Sequence, residues 1–330
     1  MTDAPLDAIG LGNAIVDVIA RIGEADLAAN HIAKGTMTLI DEFRARQLSE
    51  LARDAEISPG GSAANTIAGL ASLGASCGFV GRVKRDALGE AFVADMQRLG
   101  VAYGTKMAED GPATGRSLIF VTPDAQRSMS TYLGASIELS PADIDEKTIG
   151  AAKILYCEGY LWDRPEPKAA MRKAMAAAKA QGRKVAFTLS DPFCVGRWRS
   201  EFIALLEADV DILFANEHEI VALYETKDFA EALAQTKSWG KIAALTRSEK
   251  GSVAVRGDET HTIGIEPAKV VDTTGAGDLY ASGFLFGLTR GRDLKICGRM
   301  GAVAAAEVIG HVGPRPKRPL KELFREKGLL

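Results

Sequence analysis

The chain has 330 residues, of which 47% are hydrophobic and 25% charged, and its formal net charge is −3. That is an ordinary balance for a globular protein with a substantial core, and the length suits two domains or one large α/β unit. The slight acidity excludes a nucleic-acid surface, which needs a concentrated basic face, and no apolar run approaches the roughly 20 residues of a membrane span.

In chain order, Ala8–Val18 reads as an apolar strand, and Thr36–Ile40 is a short β segment. The turn Pro59-Gly60-Gly61 opens a small-residue helix over Ala64–Leu73, followed by a strand at Cys77–Val83 and a helix at Ala87–Leu99 with Glu90 and Asp95 facing out. Arg116–Val121 and Ser128–Leu133 are β segments joined by a turn at Pro123-Asp124. Pro165–Gln181 is a helix stopped by Gly182, followed by a strand at Lys184–Leu189. A strand at Ile212–Ala215 leads into a helix from Glu217. The strand Ile242–Thr246 and the hairpin Ser252–Val255/Thr260–Ile265 come last before a glycine turn. Strands alternating with helices imply a parallel sheet covered on both faces. The helix-free β segments imply a small antiparallel sheet outside it, either a lid or an edge extension.

Four cysteines (Cys77, Cys157, Cys194, Cys297) lie far apart and fit buried thiols of a reducing compartment; four scattered histidines give no zinc-ligand spacing. Residues 1–5 carry no basic-then-apolar signal, so a cytoplasmic protein is expected. The basic cluster Arg315-Pro-Lys-Arg318 sits in a Pro-broken segment and reads as solvated tail.

Two glycine turns carry chemistry. Asp272-Thr-Thr-Gly275-Ala276-Gly277-Asp278 precedes the apolar run Leu279–Leu288. Small residues at a helix start let unpaired amides converge on an anion, aided by the helix dipole. A carboxylate at the same point needs a task, such as taking a proton from an attacking hydroxyl. Together they suit phosphoryl transfer. The plainer alternative is a loop-to-helix junction with Asp278 as a first-turn acid, and no Gly-Lys-Ser/Thr follows to make a Walker A loop. Earlier, Pro59-Gly60-Gly61-Ser62-Ala63-Ala64-Asn65 places glycines before a second helix, with an amide at Asn65 able to donate to and accept from a sugar hydroxyl. Its alternative is a Ser-capped helix.

Gly60-Gly61-Ser-Ala-Ala-Asn65, then Gly74, Gly81 and Asp86-Ala-Leu-Gly89, then Asp272–Asp278, in that order, resemble the ribokinase-type (PfkB) carbohydrate kinase family over residues 8–315. The resemblance implies a ribokinase-like three-layer α/β/α fold, with a mainly parallel central sheet and a small β-sheet lid. It also implies a single unit spanning 1–330 with lid segments near 14–45 and 105–135. Carried over, Gly275, Ala276 and Gly277 form the anion hole and Asp278 is the base. Asn216-Glu217-His218-Glu219 matches an Asn-x-x-Glu motif that organises magnesium and phosphates through water, at Asn216 and Glu219. Their plain alternatives are a helix cap and an exposed first-turn acid. Thr246-Arg-Ser-Glu-Lys-Gly251 resembles the nucleotide loop at Thr246, Ser248 and Gly251, with serine at 248 where glycine is usual. Asp272 and Thr274 fall where many members hold a potassium-like cation.

On the acceptor side, the resemblance assigns Asp17 as the sugar-binding acid, with Asn13, Gly60, Gly61, Ser62 and Asn65. Asp17 with Asn65 suits a vicinal diol. Gly12-Asn13 followed by Asp17, Pro112-Ala-Thr-Gly115, Leu189-Ser190-Asp191-Pro192-Phe193 and Val210–Phe214 leading into Asn216 are similar to the adenosine kinase branch. So is Gly159-Tyr160-Leu161-Trp162, where Tyr160, Leu161 and Trp162 form either a purine wall or part of the core. Arg127, on a lid strand, serves the phosphates or is a surface arginine. The expectation is an ATP- and magnesium-dependent kinase acting on adenosine 5′-OH, with a small-molecule acceptor and no nucleic-acid or membrane partner, as monomer or homodimer. The rivals are a ribokinase- or fructokinase-like sugar kinase, a catalytically silent nucleotide-binding regulator, and an oxidoreductase, which lacks the third glycine of a dinucleotide fingerprint.

Overall fold

The computed structural model describes residues 6–52, 54–124 and 126–330; residues 1–5, where the signal reading falls, lie outside them. Nine strands form the large sheet, in the order Glu259–Ile263, Ser252–Arg256, Ile242–Thr246, Ile212–Asn216, Lys184–Thr188, Ala152–Glu158, Leu6–Leu11, Cys77–Val80, Ala102–Tyr103. All pairings are parallel except the two that hold the 252–263 hairpin. Strict alternation along each strand loads both faces. Ala8, Tyr156, Ala186, Phe214 and Ala244 bury on one side with the helices Ser62–Ser72, Ala276–Thr289 and Leu294–Val308. Ile9, Leu155, Val185, Leu213 and Leu245 bury on the other with Pro165–Ala180 and Pro192–Ala208. A sheet buried on both faces explains why these strands read as continuous apolar runs. The result is the three-layer α/β/α arrangement with a mainly parallel central sheet that the resemblance implies.

The smaller sheet has the order Met37–Leu39, Arg127–Tyr132, Gly115–Val121, Ile15–Arg21, Glu56–Pro59. It is mixed rather than antiparallel: Ile15–Arg21 runs parallel to Gly115–Val121, and Met37–Leu39 parallel to Arg127–Tyr132. Its strand Glu56–Pro59 lies outside the two expected segments. One face covers Leu27, Leu48, Leu118 and Phe120, a separate apolar cluster. The single strand expected over Ala8–Val18 is two. The chain leaves the large sheet after Leu11, and the amide of Asn13 donates to Glu158 Oε1 at 2.8 Å; the smaller sheet begins at Ile15. The chain therefore passes from one sheet to the other at Gly12–Ala14, beside the expected acceptor residue Asn13. Among the described residues, all four cysteines are free and buried, and no helix is long and apolar enough to cross a membrane.

Candidate active site

The helix Ala276–Thr289 starts at Gly275, whose φ of 78° is left-handed and whose N-terminus no side chain caps. Glycine is required there twice over: any β-carbon would lie 2.8 Å from Pro314 Cα, on top of the strained dihedral. The uncapped first turn offers its amides to an anion. Asp272 anchors the approach, accepting from the amides of Thr274 (2.9 Å) and Gly313 (2.8 Å).

The second helix, Ser62–Ser72, packs tightly against the first; a β-carbon on Gly69 would sit 2.4 Å from Ser282 Oγ. That close approach brings the two glycine motifs into contact over more than 200 residues of chain. Ser62 Oγ donates to Asp278 Oδ1 at 2.7 Å, and Asn65 Nδ2 donates to Asp278 Oδ2 at 3.0 Å. The Oδ1 of Asn65 is buried and has no hydrogen-bond partner, an unused acceptor on a side chain that contacts Asp278. Burial pushes the Asp278 carboxyl up to about 6, against the lowering effect of Ser62, Asn65 and the Arg315 charge.

Asp17 is buried against Gly60, and burial raises it to about 7; Arg315 opposes the shift and Asp278 adds to it. In register beside Asp17 lie Ser117 and then Thr131, whose hydroxyls are 2.9 Å apart. They extend a polar row across the smaller sheet. Glu158, buried at the carboxyl end of its strand, accepts from the amides of Asn13 and Ala63, both at 2.8 Å, and burial pushes it up to about 7. It holds the strand break beside Asp17 and the helix start beside Ser62 in one arrangement.

Arg315 corrects the solvated-tail reading of its segment. Its side chain is only 14% exposed; Nε donates to Pro59 O at 3.0 Å, and Nη1 lies 3.7 Å from Asp95 Oδ2. Asp95 likewise faces this guanidinium and not solvent. Lys317 and Arg318 are exposed as expected. The proline-bounded loop that seals Gly275 thus reaches back to the turn Pro59-Gly60-Gly61.

Two adjoining cavities open along the helix start. The one of about 400 Å³ is lined by Thr246, Ser248, Gly251, Ile265, Val270 and Ala276. Its apolar and small side chains suit a nucleotide's base and sugar. Ser248 keeps the left-handed backbone of the glycine it replaces, with φ of 50°. The cavity of about 240 Å³ reaches Asp278 and is lined by Ser62, Asn216, Glu219, Gly275 and Gly277. Asn216 and Glu219 form a reciprocal cap: Asn216 Nδ2 donates to Glu219 Oε1 (2.6 Å), and the Glu219 amide donates back to Asn216 Oδ1 (2.9 Å). So the plain reading of Asn216 as a cap holds alongside its place in the cavity wall, whereas Glu219 is a first-turn acid that is buried and not exposed. Burial raises Glu219 to about 7. One carboxylate and one amide at a phosphate-sized cavity fit a magnesium ion that keeps its water shell. Among the described residues no three His, Cys, Asp or Glu side chains converge on a metal position.

Three expected residues are placed otherwise. Leu161 and Trp162 are buried in the core, where Trp162 packs edge-on to Phe202 and donates to Glu201, so neither offers a face to a purine. Tyr160 points its hydroxyl to Ser190 O at 3.3 Å, one residue behind the cavity wall. Asp272 and Thr274 do come together, but their oxygens already hold the guanidinium of Arg127, at 2.6 and 2.5 Å. The guanidinium thus takes side-chain oxygens where a potassium-like cation was expected.

Ser117, Thr131, Glu158 and Arg315 were not singled out in the sequence as site residues. For Ser117 the alternation of its strand carried a signal. Glu158 offered one as a lone acid ending an apolar strand, and Arg315 offered none.

A model described as pfkB family carbohydrate kinase matches residues 33–321. The structure superposes on an adenosine kinase from Sinorhizobium meliloti with a TM-score of 0.92 and 50% identity, covering 98% of this chain and 100% of that one. A probable sugar kinase from Rhizobium etli gives a TM-score of 0.94 at 46% identity, covering 99% and 100%. A 5-dehydro-2-deoxygluconokinase from Geobacillus thermodenitrificans is 30% identical over 265 residues, 76% of this chain and 78% of its own length.

Proposed function

The chain belongs to the pfkB family of carbohydrate kinases and is a phosphotransferase with an alcohol acceptor; on that premise we propose that it transfers the γ-phosphoryl group of ATP to the 5′-hydroxyl of adenosine. The observation that carries the transfer chemistry is the direct contact of Asp278 with Ser62 and Asn65 at the uncapped start of the 276–289 helix. Base, acceptor-side amide and anion-binding amides meet at one point. The choice of adenosine is supported by the half-identical relative of that name over nearly the whole chain.

In the proposed reaction the acceptor ribose lies between Asp17 and Asn65, and its diol takes the unpartnered Oδ1 of Asn65. Asp278 accepts the hydroxyl proton as the oxygen attacks phosphorus and the bond to ADP breaks. The amides at 275–277 stabilise the charge on the transferring group. Glu219 and Asn216 would hold magnesium through its waters, and the ion would offset the charge of the nucleotide phosphates. The smaller sheet acts as a lid over the acceptor and excludes water, the competing acceptor.

A sugar acceptor is the second reading, favoured by the sugar-kinase relatives and by Leu161 and Trp162 being closed to a purine. The test is ADP release from ATP and magnesium with adenosine, inosine, guanosine, ribose, fructose and 2-keto-3-deoxygluconate. Turnover with adenosine well above the rest is expected. Preference for a free sugar would reject adenosine and leave Asp278 as base; no turnover with any acceptor would favour a silent nucleotide-binding protein.

A further inference from the structure

Asp272 is a fully enclosed carboxylate, with its side chain 1% exposed, one step before the anion-hole turn. It accepts from two backbone amides and from Arg127 Nη2 at 2.6 Å, while Arg127 Nη1 donates to Thr274 Oγ1 at 2.5 Å. Arg127 is itself only 15% exposed and begins a strand of the smaller sheet, whereas Asp272 and Thr274 belong to the loop leading into the catalytic helix. The oxygens suited to a monovalent cation are thus filled by a cation that is covalently part of the chain. A potassium ion at the same oxygens would stand within a few ångströms of a guanidinium in a poorly hydrated place, where like charges repel strongly.

We propose that Arg127 is a built-in substitute for a monovalent activator: its guanidinium neutralises Asp272 and holds the 272–275 turn in shape for the anion hole. Its planar fork spans the carboxylate and the hydroxyl at once, which a lysine's point charge does not. Arg127 is a positioning residue, and because it is carried by the smaller sheet, the same contact ties that sheet to the anion hole. The inference rests on phosphoryl transfer at Asp278 and is independent of which acceptor is used.

The test compares turnover in potassium, sodium and tetramethylammonium chloride at matched ionic strength. The native chain should turn over equally in all three. Arg127→Met should lose roughly tenfold to a hundredfold in kcat, the size expected for a lost charge-assisted pair, and recover most of it with millimolar potassium or guanidinium. Arg127→Lys should lose less and respond less. Thermal unfolding without nucleotide or acceptor gives a readout separate from activity. Potassium over sodium should leave the native melting temperature unchanged and raise that of Arg127→Met saturably, as a ligand bound only to the folded state does. Activation of the native chain by potassium would overturn the proposal. So would an Arg127→Met variant, or Arg127→Lys if the first does not fold, whose rate and melting temperature ignore both cations; Arg127 would then act on the phosphates directly. A chain that turns over no acceptor but shows the unfolding pattern would reject the transfer reading alone.

Discussion

The proposed nucleotide side and the proposed acceptor side of the site are built differently. On the proposed nucleotide side many shaping contacts close within a few residues, Asn216 with Glu219, Asp272 with Thr274 and Arg247 with Gly251 across the 246–251 loop, and the long-range ones, from Gly313 and Arg127, converge on Asp272 and Thr274. On the acceptor side they span the chain: Ser62 with Asp278, Asn13 with Glu158, Pro59 with Arg315. Local closure makes a short motif informative by itself, because the residues that shape the turn are also those that do the chemistry. Long-range closure makes each partner look ordinary until the fold places it. The nucleotide side can therefore be perturbed residue by residue, whereas a change on the acceptor side should travel into the base at Asp278.

The sharpest break in this picture is Asp278→Asn, which removes the point where both sides meet. It should lower kcat by about a thousandfold, within the usual range for a general base, with ATP affinity by titration little changed. In the native chain Asp278 must be ionised to take a proton. Since burial raises it to about 6, kcat/KM should fall as pH drops through that value. Arg315→Met comes next. It removes the charge that lowers both Asp278 and Asp17, so kcat/KM should fall by roughly tenfold or more and its acidic limb should move to higher pH. An unmoved limb would reduce Arg315 to a structural strap. Asn65→Ala should raise the acceptor KM by about tenfold, the scale of a lost hydrogen bond to a bound hydroxyl, with the ATP KM nearly constant. A change confined to the ATP KM would reverse the assignment of the two sides. The smallest effect is expected at Ser248→Gly. Relief of a left-handed serine and the added freedom of the unfolded chain nearly cancel, so stability by denaturant should change by less than about 1 kcal/mol. A large loss of ATP binding there would show that the serine hydroxyl contacts nucleotide.

Arg127 and Arg315 show why charge is hard to read along a chain. Arg315 read as solvated tail and Arg127 as either a phosphate ligand or a surface arginine, yet each is enclosed by distant partners, Asp272 and Thr274 for Arg127 and Pro59 and Asp95 for Arg315. Tyr160, Leu161 and Trp162 show the reverse. Aromatic and apolar groups at a strand end suited either a purine wall or the core, but Leu161 and Trp162 are buried, with Trp162 against Phe202 of the 192–208 helix, and the Tyr160 hydroxyl is taken by Ser190 O.

By itself the sequence determined the alternation of strands and helices, both glycine turns and the acid that follows the second, since these depend on side-chain period, backbone freedom and helix capping, all local properties. The split of the first strand between two sheets, the mixed pairing of the smaller one, the seat of Glu158 and the enclosure of Arg127 and Arg315 were decided only by tertiary structure. Each depends on which surfaces meet, and a buried charge is stable only where a distant partner has been brought to it.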